Sequence, residues 1–299
     1  MSQTSQSAMA SLAPFRERAG WILSQLVDAV THSNRNTAPI FFILWDIEAR
    51  SEDLDPEFMS RGEKRLLELA CRQGSLSMVN YLLRERMITP TRFDAWPFIL
   101  EGPMDIACAL VSHGFDIDQP YSPRPCSVLG YFLQRPDIVM RLLELGANPN
   151  MVTSCGCGDI PSLAGQRGSV EVVEMLYRAG AQFFRSNALH RAVEAAEYDN
   201  DRFAIMEFLL ENELVDINQL EYAYKAEGPK VWPGSGTALH HAVRTASLRS
   251  VKYLLSWKAD LSVENRMGWT SLYMARRYDL KDIEKVLKDA EDTLHRDAS

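Results

Sequence analysis

The residues able to do chemistry are few and mostly scattered. Six histidines stand at 32, 113, 190, 240, 241 and 295, and five cysteines at 71, 108, 126, 155 and 157. Two places bring such residues together in sequence. One is Cys155-Gly156-Cys157-Gly158-Asp159, where two thiols and a carboxylate begin a metal site. Structural zinc takes four ligands, usually from paired motifs. No second cysteine pair and no nearby histidine completes this set, so the expectation is a Gly-rich turn with no metal and no cofactor. The other place is His240-His241. A general base needs a partner that positions it, and the neighbourhood of His241 in sequence supplies none. His113 sits where a helix should end and a cation is favoured. Cys71 and Cys108 read as small core residues on helical faces. No dinucleotide glycine fingerprint, phosphate loop, His-Glu-x-x-His or Gly-x-Ser-x-Gly occurs.

Composition narrows the partners. The 299 residues are 46% hydrophobic and 24% charged, which is ordinary globular usage. Lys and Arg number 32 against 40 Asp and Glu, a net charge of −8. That balance argues against nucleic acid and against an anionic membrane surface. The longest apolar run, Ile40 to Trp45, is far short of the roughly 20 residues a spanning helix needs. The first fifteen residues lack the basic and apolar regions of a secretory signal. With an odd cysteine count, the expected address is intracellular, cytoplasmic or nuclear.

The elements that must position any site come from a repeat. A small or aliphatic residue followed three positions later by two large apolar ones marks Val79, Ala107, Val139, Val173, Met206, Val251 and Ile283. The intervals are 28, 32, 34, 33, 45 and 32 residues. Apolar residues at i, i+3 and i+4 form one helical stripe, and a period near 33 is that of a stacked helix pair. A Leu-x-x-Ala element precedes most markers, best in Thr237-Ala-Leu-His-His-Ala242 and Asn187-Ala-Leu-His-Arg-Ala192. A Gly-Ala-Asn-Pro-Asn element follows at 146–150, with weaker copies beginning at Gly114 and Gly180.

These motifs resemble the ankyrin repeat. The resemblance runs over residues 63–288, with the copy at 236–265 strongest, and implies an all-α solenoid of helix-turn-helix repeats with finger loops. Residues 1–62 are expected to be a helical cap and linker, and 289–299 a charged tail. The resemblance also implies that a Thr-to-His contact braces each turn; Thr237 and His240 would supply it, with Asn187 standing in beside His190. Gly114, Gly146 and Gly180 fit the left-handed position that ends the second helix. Arg86, Glu213 and Lys258 replace that glycine in other copies, so those helices should terminate differently.

The largest departure is the 45-residue interval, which places an inserted loop at 218–236. It carries Tyr222, Tyr224, Lys225, Lys230 and Trp232, with Trp257, Arg266 and Trp269 nearby in sequence. Insertions in repeat arrays fall on one face, often the binding face, and Tyr and Trp are favoured interface anchors. The bland alternative is that these aromatics pack back on the array. The reading is a non-catalytic scaffold or adaptor that binds a protein partner through the concave face of the array and its finger and insertion loops. Its rivals are an enzymatic or accessory protein holding a small molecule in the irregular stretch 91–102, and a substrate-recruiting subunit that docks through residues 1–62.

Overall fold

The computed structural model describes residues 19–30, 32, 45, 56–84, 88, 90, 95–119, 127–152, 158–223 and 236–297. Tyr224, Lys225, Lys230, Trp232, Cys155 and Cys157 lie outside these residues, as does most of the segment 1–62. Among the described residues the regular structure is helical, apart from one isolated bridge between Val152 and Asp159. The chain divides into two compact units, Met1–Ile117 and Asp118–Ser299.

In the first unit, α1 covers residues 19–30. It is followed by α2 (Pro56–Arg72), α3 (Leu76–Arg84), α4 (Trp96–Leu100) and α5 (Met104–Ser112). Trp45 is fully buried, and a Cβ on Gly62 would come within 2.8 Å of its ring, so α2 needs glycine where the indole crosses it. Pro90, Pro97 and Pro103 crowd the copy marked by Ala107, and its first helix, α4, is only five residues long with Pro97 in its first turn. Cys71 is buried as expected, and burial first, then the charge of Glu68, pushes its thiol up to about 12. Cys108 is exposed instead. The buried stripe of α5 is Ile106, Ala107, Ala109 and Leu110, which leaves position 108 on the solvent side. His113 does close its helix, donating from Nδ1 to the Ala109 carbonyl at 2.8 Å.

The second unit is a run of helix pairs. They are α6 (Val128–Tyr131) with α7 (Pro136–Glu144), α8 (Ile160–Arg167) with α9 (Val170–Arg178), and α10 (Ala188–Ala195) with α11 (Arg202–Glu211). Then come α12 (Ala238–Arg244) with α13 (Leu248–Ser256), and α14 (Ser271–Arg277) with α15 (Lys281–Asp297). The first helices stack in order, α6 on α8 on α10 on α12 on α14. Side-chain oxygens of Ser127, Asp159, Ser169, Ser247 and Thr270 cap their helices by accepting a first-turn backbone N–H that has no partner within the helix. The stack is tight because its contact residues are small. Ala164, Ala192, Ala242 and Ala275 are fully buried. A Cβ on Gly165 would fall 2.2 Å from the Ala188 carbonyl oxygen, so α8 and α10 approach at a distance that glycine alone permits.

The second helices end in one way, whatever residue ends them. Gly114, Gly146 and Gly180 have φ of +95°, +91° and +90°, and Glu213 and Lys258 follow at +52° and +61°. The alternative termination expected at Glu213 and Lys258 is therefore absent, while Arg86 lies outside the described residues. At Leu214 and Ala259, as at Phe115, Ala147 and Ala181, the next N–H reaches back five residues to a helix carbonyl, the Schellman arrangement. Each of those five residues is buried, and burying it imposes the left-handed turn even on a side-chain-bearing residue. Gly168, by contrast, has extended backbone, and its requirement is steric: a Cβ would meet the Ala164 carbonyl at 2.8 Å.

Finger loops are joined by a relay of short polar side chains. Asn148, Asp216 and Asp260 each accept the N–H two residues on, the Asx turn. Between copies, Asp118 accepts from Asn148 N, Asn150 from Gln182 N, and Asn218 from Asp260 N, at 2.8–2.9 Å. At the C-terminus α15 runs to Asp297, so the charged residues from 289 onward continue the helix that Ile283 and Leu287 bury.

Two substitutions test this packing in opposite directions. Gly165→Ala should lower stability by about 1–3 kcal/mol, because the added methyl overpacks a rigid backbone contact. Lys258→Gly should raise it by about 1 kcal/mol, because glycine adopts the left-handed turn without the Cβ penalty. Urea unfolding of both variants against the parent measures the two shifts.

Candidate functional site

The motif that caps α12 is built as the repeat requires. Thr237 and His240 form a reciprocal capping box, with the Thr237 N–H 3.1 Å from His240 Nδ1. The other ring nitrogen, Nε2, donates to the Trp269 carbonyl at 2.9 Å. That bond fixes the tautomer: Nε2 carries the proton, so Nδ1 is free to accept. In α10 the equivalent His190 Nε2 donates to the Gln219 carbonyl at 3.0 Å. Here the expected stand-in fails. Asn187 turns its Oδ1 to the Tyr222 N–H at 2.9 Å, and His190 Nδ1 is buried without a hydrogen-bond partner. Asn187 thus holds the chain where the insertion departs, rather than the histidine beside it.

Beside these braces lies a cluster of charge that the sequence does not announce. α10 contributes Arg191 and Glu194, α12 contributes His241 and Arg244, and the turn at 221–223 contributes Glu221 and Tyr222. Arg191 donates to Glu194 at 2.7 Å, to Glu221 at 3.1 Å and to the Tyr222 hydroxyl at 3.0 Å. His241 Nδ1 donates to Glu194 at 2.7 Å, and Nε2 lies 3.3 Å from Glu221 Oε2, near enough for attraction but out of line for a hydrogen bond. Arg244 also pairs with Glu194. The His190 and His241 rings meet edge to face at 5.1 Å. The same turn closes the insertion, since Glu221 N–H donates to the Gly236 carbonyl at 2.9 Å. A Cβ on Gly236 would strike the His240 ring at 2.6 Å, so the loop must return at a glycine.

The electrostatics follow from burial and neighbours. Burial disfavours a charged His241, but the pull of Glu194 and then Glu221 outweighs it and holds the imidazole above its ordinary range. Glu194 is the complement: burial pushes it up, but His241 and Arg191 prevail and bring it down to about 2. Burial first, then the positive His241, pushes His190 down to about 3, so it is neutral. The arrangement has the ingredients of acid–base chemistry, a histidine flanked by two carboxylates. Yet the His241 and Glu221 side chains are 3% and 5% exposed, and each charge is spent on another. As built, the cluster pins the base of the inserted loop.

Of the contact residues read from sequence, Tyr222 is buried and has φ of +57°, held by Arg191 and Asn187. Trp257 and Trp269 are half-buried, and Arg266 is exposed, its Nη2 3.5 Å from the Glu221 carbonyl. Arg191, Glu194, Glu221 and Arg244 were missed. A clue to three of them existed: Arg191 and Glu194 stand four and seven residues after Asn187, as His241 and Arg244 do after Thr237. Stacked copies bring equal positions together. Glu221 lies in the insertion, which has no counterpart to align. Among the described residues no group of His, Cys, Asp and Glu is disposed to hold a metal ion, and no helix is long and apolar enough to cross a membrane.

Parts of the chain are similar to known proteins. The family model described as ankyrin repeat matches residues 236–266. A mouse (Mus musculus) protein, protein phosphatase 1 regulatory subunit 27, is 27% identical over 96 residues, which are 32% of this chain. The match spans 62% of that relative's length. Among solved structures, the ankyrin repeat domain of Bcl-3, a member of the IkappaB family, is similar at 21% identity and a TM-score of 0.47, over 75% of this chain and 85% of that one.

The cluster makes stability depend on pH with a defined sign. His241, raised in the fold, contributes fully below pH 6.5 and loses its contribution as pH rises through its folded value. Glu194 contributes above pH 4.5 and loses its contribution as pH falls toward 2. His190, buried and neutral, costs stability as pH falls below 6.5 toward 3. Stability should therefore peak near pH 6.5. His241→Leu should cost about 3 kcal/mol, since one partner leaves buried carboxylates that Arg191 still serves. It should also abolish the alkaline decline while keeping the acid one. Urea midpoints measured across pH check both limbs.

Proposed function

We propose, on the premise that the chain is an ankyrin-repeat protein, that it is a non-catalytic interaction scaffold. Its protein partner is gripped by the concave face of the array together with the finger and inserted loops. The observation that carries this reading is the anchored base of the insertion. Glu221 is bonded to Gly236 through the backbone and held through its side chain by Arg191 and His241. Rigid elements that present a variable loop are the usual way a fold acquires a binding site. Buried, mutually paired groups are poorly placed to meet a substrate. The residues offered for contact are Tyr224, Lys225, Lys230 and Trp232 in the loop, with Trp257, Arg266 and Trp269 nearby in sequence.

A second reading takes support from the mouse relative, whose name is that of a regulatory subunit. Under it the chain recruits substrates to a larger complex, and residues 1–62 are the docking handle. Deleting 1–62 should then abolish assembly without unfolding the repeats, whereas a mere cap should first cost stability.

The scaffold reading is tested by affinity capture with the full chain and with a Tyr224→Ala/Trp232→Ala variant. The variant should lose the partner by tenfold or more, the scale of interface hot spots, and keep its helical circular dichroism. Undiminished capture overturns the role of the loop.

A further inference from the structure

The last finger and α14 carry a surface whose chemistry differs from the rest of the chain. Residues 258–280 hold four Lys and Arg against three Asp and Glu, in a chain of net charge −8. Tyr273 occupies the position held by His190 and His240 in the two preceding copies, three residues after the cap. Those histidines are buried, but Tyr273 is 48% exposed. Its ring lies 5.3 Å from that of Trp269, tilted by 50°. Four residues on, Arg277 stands on the same face of α14. It occupies the position of Glu194 and Arg244 in the stacked copies, seven residues after the cap. Arg244 has Glu194 to neutralise it. Arg277 is exposed and has no ion pair among the described residues. Arg266, also exposed, sits beside the anchored turn through its contact with the Glu221 carbonyl, with Met267 exposed next to it.

We propose that Arg266, Trp269, Tyr273 and Arg277 form the docking site for an acidic peptide segment of a partner protein, one that carries an apolar or aromatic side chain among its carboxylates. The inference rests on the scaffold reading and adds the chemistry of what is held. Guanidinium groups bind carboxylates in a planar, two-pronged geometry, and the Trp269–Tyr273 pair offers an aromatic surface to the apolar side chain between them. Charge complementarity selects the occupant. A short peptide with a few carboxylates meets the two cations. A long polyanion such as RNA would also meet Asp260 and Glu264, both exposed on this finger, and the negative field of the whole chain.

The test uses the full chain and fluorescence anisotropy. Three probes are compared: a labelled peptide of Glu and Asp around a central Phe, its Lys-substituted counterpart, and a single-stranded oligonucleotide. The acidic peptide should bind, weaken as salt is raised, and lose about tenfold or more in affinity in Arg266→Glu/Arg277→Glu. Tyr273→Ala should weaken it without changing the salt dependence. Should the charge reversal disturb folding by circular dichroism, Arg266→Gln/Arg277→Gln reads the same loss at smaller scale. Failure of the acidic peptide to bind, binding indifferent to these arginines, or equal binding of the oligonucleotide overturns the proposal. If the acidic peptide is ignored while a captured partner is still lost in Tyr224→Ala/Trp232→Ala, this inference falls and the scaffold reading stands.

Discussion

A pair of helices with one apolar face has no core until another pair covers it. In the second unit that covering is achieved at backbone distance: α8 meets α10 where Gly165 faces the Ala188 carbonyl, and four buried alanines line the same stack. Every other feature of the unit is set by this closeness. Side chains at equal positions of successive copies are brought into one another's reach, so opposite charges placed there can pair across neighbouring copies. Arg191, Glu194, His241 and Arg244 do so, and Glu221 enters the same group from the inserted chain.

This explains what the sequence could and could not disclose. The helix pairs, the glycines at Gly114, Gly146 and Gly180, and the Thr237–His240 brace follow from local residue types and a fixed period, and all three are visible in one dimension. The left-handed turns at Glu213 and Lys258 were not, because the cause is the burial of the following residue and no property of the residue itself. Cys108 was assigned to the core from hydrophobicity, though the phase of α5 points it outward. The electrostatic cluster was hidden for a different reason. Its partners are 47 residues apart in the His241–Glu194 pair, and one of them belongs to a stretch without a counterpart in the other copies.

Histidine between two carboxylates is familiar from acid–base catalysis, and a list of residues would place this cluster among active sites. Geometry assigns it differently. The same three groups that make a proton relay in an open cleft make a clamp when they are paired with one another, with His241 and Glu221 almost wholly buried. Under the proposed scaffold reading, function is carried by what the clamp holds steady, together with α14 and its exposed Tyr273 and Arg277.

The relay between fingers has an evolutionary corollary. Its links span 30 and 32 residues in ordinary copies, yet Asn218 reaches the Asp260 N–H across 42. The connection is blind to how much chain runs between its two ends. Extra length inserted within one copy therefore leaves the register of the neighbouring copies intact, so the size of the insertion can change while the framework stays put.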